Sequence, residues 1–189
     1  MALFVDEIWA LMRVYLPTTL AGLGRLAGSG SMGHDLPGFS VTDQLARWWA
    51  DGGDVRADIE ELEYAATVQA ATASLQLLDA TAVAVGTEPA RRIVVVAEAA
   101  GFVAAEHVNV DESAPGAGTL PGPLLIADVV AVHVDSPDAS AAVWTAVAAL
   151  ADAAAPTSHV GLVLDELADH PLAWYAPDEI GQVLARLHG

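Results

Sequence analysis

His133 and Asp135 stand two residues apart in the run Val129 to Asp135, VVAVHVD. On an extended chain that spacing aims both side chains at one face. Glu98 closes a second apolar run, RIVVVAE, at residues 92–98. One imidazole and two carboxylates are a ligand set for a divalent cation such as zinc or manganese, with positions left open for water or substrate. The same three groups also suit general acid–base chemistry. Thr18, Ser136 and Tyr175 end apolar runs too and are the candidate binding residues. In a parallel sheet all these strand ends would converge, because ligands bind beyond the carboxyl ends of the strands. A plainer reading competes: Asp135, Ser136, Asp138, Asp178 and Glu179 are the residue types that helix N-termini favour.

Two further acidic groups invite the same comparison. Glu61 and Glu63 form a carboxylate pair in ELEY, yet glutamates early in a helix are favoured by its dipole. Glu166 and His170 are four apart, with Asp165 and Asp169 beside them. Pro171 disfavours helical geometry at His170, so that spacing does not guarantee a shared face. No nucleotide-binding glycine motif, HExxH or G-x-S-x-G elbow occurs.

The elements that must position these residues are legible from periodicity. Val129, Val130, Val132 and Val134 are β-branched and leave both faces of their strand apolar, the pattern of a central parallel strand covered on both sides. Ser136 is then expected to cap a helix that has Pro137 at its first position and Val143, Trp144, Val147 and Leu150 on its buried stripe. Similar strand–proline–helix junctions occur at Pro17 and Pro177. Thr42 should cap a helix carrying Leu45, Trp48 and Trp49, ended by Gly52 and Gly53. The longest helix is expected from about residue 55 to residue 78, mostly buried, because its polar stripe is narrow. Residues 160–167 read as a short helix and residues 172–175 as the last strand. Residues 107–110 alternate like an edge strand. Residues 28–35, 81–89 and 113–123 read as loops. Trp48, Trp49, Trp144 and Trp174 read as core or interface anchors rather than a ligand cage.

Composition narrows the function classes. The chain has 189 residues and a formal charge of −18, from 25 acids against seven basic residues, all arginine. Such a surface repels nucleic acids and anionic membranes, whose affinity comes largely from Lys and Arg. Cysteine is absent, which removes disulfides, thiolate metal sites and a cysteine nucleophile. Without lysine there is no Schiff-base chemistry and no phosphate-loop lysine. No stretch is long and apolar enough to span a bilayer. Residues 1–11 read as an extension that the fold does not need; the alternative is a short amphipathic helix of Leu3, Phe4, Ile8, Trp9 and Leu11 docked on the body or on a second chain. Residues 12–189 read as a single domain.

Taken together, MRVYLPTTL from Met12, ELEYAA from Glu61, VVAVHVD from Val129 and HPLAWYAPDEI from His170 resemble a family of uncharacterised actinobacterial proteins, a domain of unknown function. The resemblance covers most of the chain from Met12 onward and implies a cytoplasmic setting; it carries no activity. The expected fold is α/β, with four or five mostly parallel strands and helices on both faces; the alternative is α+β with a mixed sheet, residues 107–110 pairing antiparallel with residues 129–134. The expected function is a non-catalytic binding or interaction module, in one form a homodimer, requiring no cofactor. The alternative is a metal-assisted small-molecule enzyme built on His133, Asp135 and Glu98.

Overall fold

The computed structural model describes residues 11–51, 57–105 and 114–188. The β-branched runs form the strands they should. β1 (Met12–Thr18) leads into α1 (Leu20–Ser29), then β2 (Ser31–Met32) and β3 (Leu36–Ser40). Helices α2 (Asp43–Asp51), α3 (Ile59–Leu75) and α4 (Ala80–Ala84) follow, and β4 (Ile93–Ala99) returns to the sheet. Next come β5 (Val103–Ala104), β6 (Ala117–Leu120), β7 (Leu124–Leu125) and β8 (Val129–Asp135). The chain continues with α5 (Ser140–Ala151), α6 (Thr157–Ala168), β9 (Leu172–Tyr175) and α7 (Ile180–His188).

Seven strands form one sheet in the order β5-β6-β3-β1-β4-β8-β9, and β2 pairs with β7 apart from it. Every neighbouring pair is antiparallel. The fold is therefore α+β, and the expectation of a mostly parallel α/β sheet is overturned. Two physical reasons account for the difference. The apolar faces of β4 and β8 report cover on both sides, not strand direction. Val14, Leu16, Val95, Val132 and Val134 pack beneath α1 and α7. Tyr15, Val94, Val96 and Ala131 pack beneath α2 and α3 on the opposite face. Secondly, two helices of 12 residues each, α5 and α6, separate β8 from β9. A helix pair brings the chain back to the end it left, so the next strand runs antiparallel.

The caps show which local signals held. The Thr19 hydroxyl accepts from the Gly22 amide at 3.2 Å to open α1. The Thr42 hydroxyl accepts from the Leu45 amide at 3.0 Å and donates to the Pro115 carbonyl at 2.8 Å. Asp58 and Glu61 close a capping box on α3, each side chain accepting from the other's backbone amide. Ser136 makes no side-chain cap bond, and Pro137 opens a 3-10 turn, Pro137–Ala139, ahead of α5. Residues 1–10, Gly52, Gly53 and the anticipated strand at 107–110 lie outside the described residues.

The stretches 28–35 and 113–123, read as loops, contain strands β2 and β6. Gly38 of β3 pairs directly with Gly118 of β6. A Cβ on Gly38 would sit 2.9 Å from Leu16 Cδ2, and one on Gly118 would collide with the Val103 carbonyl. These glycines are there for close packing within strands, the role that glycine plays where another chain segment approaches.

Candidate functional site

On the α3 face of the sheet, α3 covers the middle strands and leaves part of β8 and β9 open. Arg13 and Tyr15 alternate with Val14 and Leu16 along β1, so both reach this face. His133 stands directly across from Trp174 of β9. Tyr64 and Thr67, one helical turn apart, form the α3 wall. The result is a groove of two hollows that share Tyr64, Thr67 and His133. The first, of about 280 Å³, is apolar and includes Val68, Ala71, Leu164, Leu167 and Leu172. The second, of about 360 Å³, is polar and includes Arg13, Tyr15, Glu60, Glu63 and Trp174.

The polar hollow contains an ion-pair network. Arg13 Nη1 meets the Glu63 carboxylate at 3.0 Å, and Arg13 Nη2 meets Glu98 at 3.4 Å. Partial burial opposes the charge of Arg13, but Glu63 and Glu98 outweigh it and hold the guanidinium more firmly protonated. The Tyr15 phenol is pushed well above its ordinary value, first by burial and then by Glu63. It therefore remains a neutral hydroxyl at physiological pH.

His133 is half-buried at the meeting point of the two hollows, and no protein group among the described residues hydrogen-bonds its ring. Burial lowers its pKa below the ordinary 6.5, because desolvation penalises the imidazolium. The groups facing it are Arg13 and Tyr15 from β1, Glu60, Glu63 and Tyr64 from α3, and Arg92 and His170 at the apolar end. The sign of the linked effect follows. Between the depressed folded pKa and the unfolded value near 6.5, the unfolded chain binds a proton that the folded chain does not. His133 thus costs stability as pH falls below about 6.5, and the loss stops growing below the folded pKa. His133→Gln should therefore gain stability relative to the parent between pH 7.5 and pH 5.5 in thermal melts. Parallel melting curves at the two pH values would refute the assignment.

Beneath the apolar hollow lies a buried clamp. Arg92 donates to Asp135 through Nη2 at 2.7 Å and through Nε at 3.0 Å, while its own backbone amide donates to Oδ2 at 2.7 Å. Arg92 Nη2 also donates to the His170 carbonyl at 2.6 Å. This arrangement ties the start of β4, the end of β8 and the approach to β9 into one unit.

The structure separates the anticipated metal ligands. His133 pairs with Val94, four residues before Glu98 on the same strand. That places Glu98 about 13 Å away along the strand at 3.3 Å per residue. Asp135 is committed to Arg92, and no group of three or more His, Asp and Glu side chains suited to a metal occurs among the described residues. Thr18 is buried on the opposite face, where its hydroxyl lies 3.9 Å from Met32 Sδ. Tyr175 packs into that same face, and the Ser136 carbonyl accepts from Arg91 Nη1 at 3.0 Å. Thr18, Ser136 and Tyr175 thus share no site. Glu61 serves the α3 cap, Glu63 the Arg13 pair, and Glu166 is exposed on α6 while His170 lies beyond that helix's end.

Arg13, Tyr15, Tyr64 and Trp174 belong to no motif in the sequence, yet all four line the polar hollow. One signal was present: Arg13 and Tyr15 share a face of an otherwise apolar first strand, and arginine is scarce in this chain. Trp174 is 59% exposed and Tyr64 66% exposed, so neither is a core anchor.

Fold and groove together describe an antiparallel α+β domain with a lined recess on one sheet face. The chain belongs to the family of unknown function DUF6912, which matches residues 12–184. No curated protein and no solved structure matches it. Among the described residues no helix is long and apolar enough to cross a membrane.

Proposed function

We propose that this chain is a binding module that takes a small amphipathic organic molecule into the groove between α3, β8 and β9. The observation that carries this reading is the junction at His133. An unpartnered, uncharged imidazole stands where an apolar hollow meets a polar one. Pockets for small molecules combine this kind of apolar lining with a few fixed polar groups. The imidazole and the Tyr15 hydroxyl supply neutral hydrogen-bonding atoms, and the apolar hollow takes a short hydrocarbon portion.

The metal-assisted alternative would have to rest on His133 alone, since Asp135 is occupied by Arg92 and Glu98 lies far along β4. That geometry favours binding without a metal.

Octyl glucoside, kept below its micelle concentration, is a suitable neutral probe. It should bind the full chain in isothermal titration and perturb Trp174 fluorescence. Ala168 lines the apolar hollow and is itself exposed, so Ala168→Trp fills the hollow without disturbing the core. That variant should lose the binding and keep its thermal midpoint. Equal binding by Ala168→Trp and the parent would remove the groove from consideration.

A further inference from the structure

The polar hollow has a chemical character of its own. Two carboxylates, those of Glu60 and Glu63, line it with the single guanidinium of Arg13, which pairs with Glu63 and, outside the lining, with Glu98. The local balance is therefore negative, and it sits in the field of a chain with formal charge −18. Two aromatic rings, Tyr64 on α3 and Trp174 on β9, line the same hollow and are largely exposed. An exposed indole on an edge strand and an exposed phenol on a helix wall contribute little to the core. Their faces carry the negative end of the ring quadrupole, which attracts an organic cation that has shed part of its water. The apolar hollow begins at Tyr64, Thr67 and His133, directly beside these rings.

We infer that the ligand of this groove is an organic ammonium compound, its cationic head held by Tyr64, Trp174 and the Glu60–Glu63 carboxylates and its hydrocarbon portion lying in the apolar hollow. This inference rests on the groove reading and adds the charge of the ligand. A carboxylate or phosphate head would meet the acidic surplus, with Arg13 already engaged by two partners. A second copy of this chain is a poor occupant for the same reason, since both carry the same large negative charge.

The experiment uses the full chain and three probes whose alkyl tails differ by at most one carbon: octyltrimethylammonium, octyl glucoside and octanoate. Calorimetry at low ionic strength should show octyltrimethylammonium binding about tenfold more tightly than octyl glucoside, with octanoate weakest. The preference should shrink in added salt, because exposed carboxylates are screened. Arg13→Gln leaves the carboxylates uncompensated and should strengthen binding of the cation alone. Trp174→Ala and Glu60→Gln, both at exposed positions, should weaken binding of the cation severalfold more than they weaken binding of octyl glucoside. If the three probes bind equally and Ala168→Trp abolishes all of them, the groove reading stands and the cation inference is overturned. If none binds, or none is blocked by Ala168→Trp, both are overturned.

Discussion

Asp135→Ala is expected to destabilise the fold by about 3–5 kcal/mol, the range found when one partner of a buried ion pair is removed. The Asp135 side chain is fully buried, and that of Arg92 is only 9% exposed. Alanine would strand a guanidinium with the His170 carbonyl as its remaining acceptor and leave the Arg92 amide without a partner. Urea denaturation should show the loss as a lower midpoint. The double variant Arg92→Met, Asp135→Leu should recover part of it, since two apolar side chains need no counter-charge. Recovery should stay incomplete by about 1–3 kcal/mol, the cost of a buried amide left unsatisfied. An unchanged midpoint in Asp135→Ala would show that the clamp is not a stabilising contact.

The second large effect concerns α3. Ala66 is wholly buried where the helix lies on the sheet. Ala66→Phe should cost about 1–3 kcal/mol through overpacking. Ala73, two turns on, makes the contrasting case. It is half-buried against the same core face and borders a hollow of about 610 Å³ beside Trp48 and Trp49. Ala73→Phe can turn its ring into that hollow and should cost less than Ala66→Phe. Equal losses from the two variants in the same denaturation series would contradict the placement of α3.

How far the sequence could be read depends on which kind of force set each feature. Local forces left clear marks. The cap at Thr42, the strand at 129–135 and the presence of helices α3, α5 and α6 follow from periodicity and end chemistry, whereas α3 starts at its Asp58 cap and not near residue 55. Strand direction left no such mark, because it depends on how many helices lie between two strands and on which end the chain re-enters. The glycine-bearing strands β3 and β6 were hidden for a related reason. Gly38 and Gly118 resemble turn residues in sequence, and their packing role appears only once Leu16 and Phe102 are in place against them. The site divides in the same way. His133 stood out as a lone strand histidine, and it does lie in the groove. Its expected partners depend on non-local contacts: the antiparallel register carries Glu98 four residues along β4 from Val94, the residue opposite His133, and Asp135 is taken by Arg92. Arg13 and Trp174, which do share a hollow, are 161 positions apart in the numbering, and nothing local connects them.

The position of β1 bears on how the molecule is assembled in time. β1 lies fourth of seven in the sheet, between β3 and β4. Its longest pairing, from Met12↔Ala99 to Thr18↔Ile93, joins segments about 75 to 87 positions apart. During synthesis an apolar strand therefore leaves the ribosome long before its main partner exists. At most β3 can pair with it until residue 99 has emerged, and the buried side chains of MRVYLPT remain uncovered meanwhile. Chains dominated by such distant pairings close slowly, in milliseconds to seconds, because the entropy of a long loop is lost before the contacts reward it. The same layout makes nascent chains that stop short of β4 the ones expected to aggregate, and a chaperone that shields the first strand the factor expected to raise the yield of folded protein.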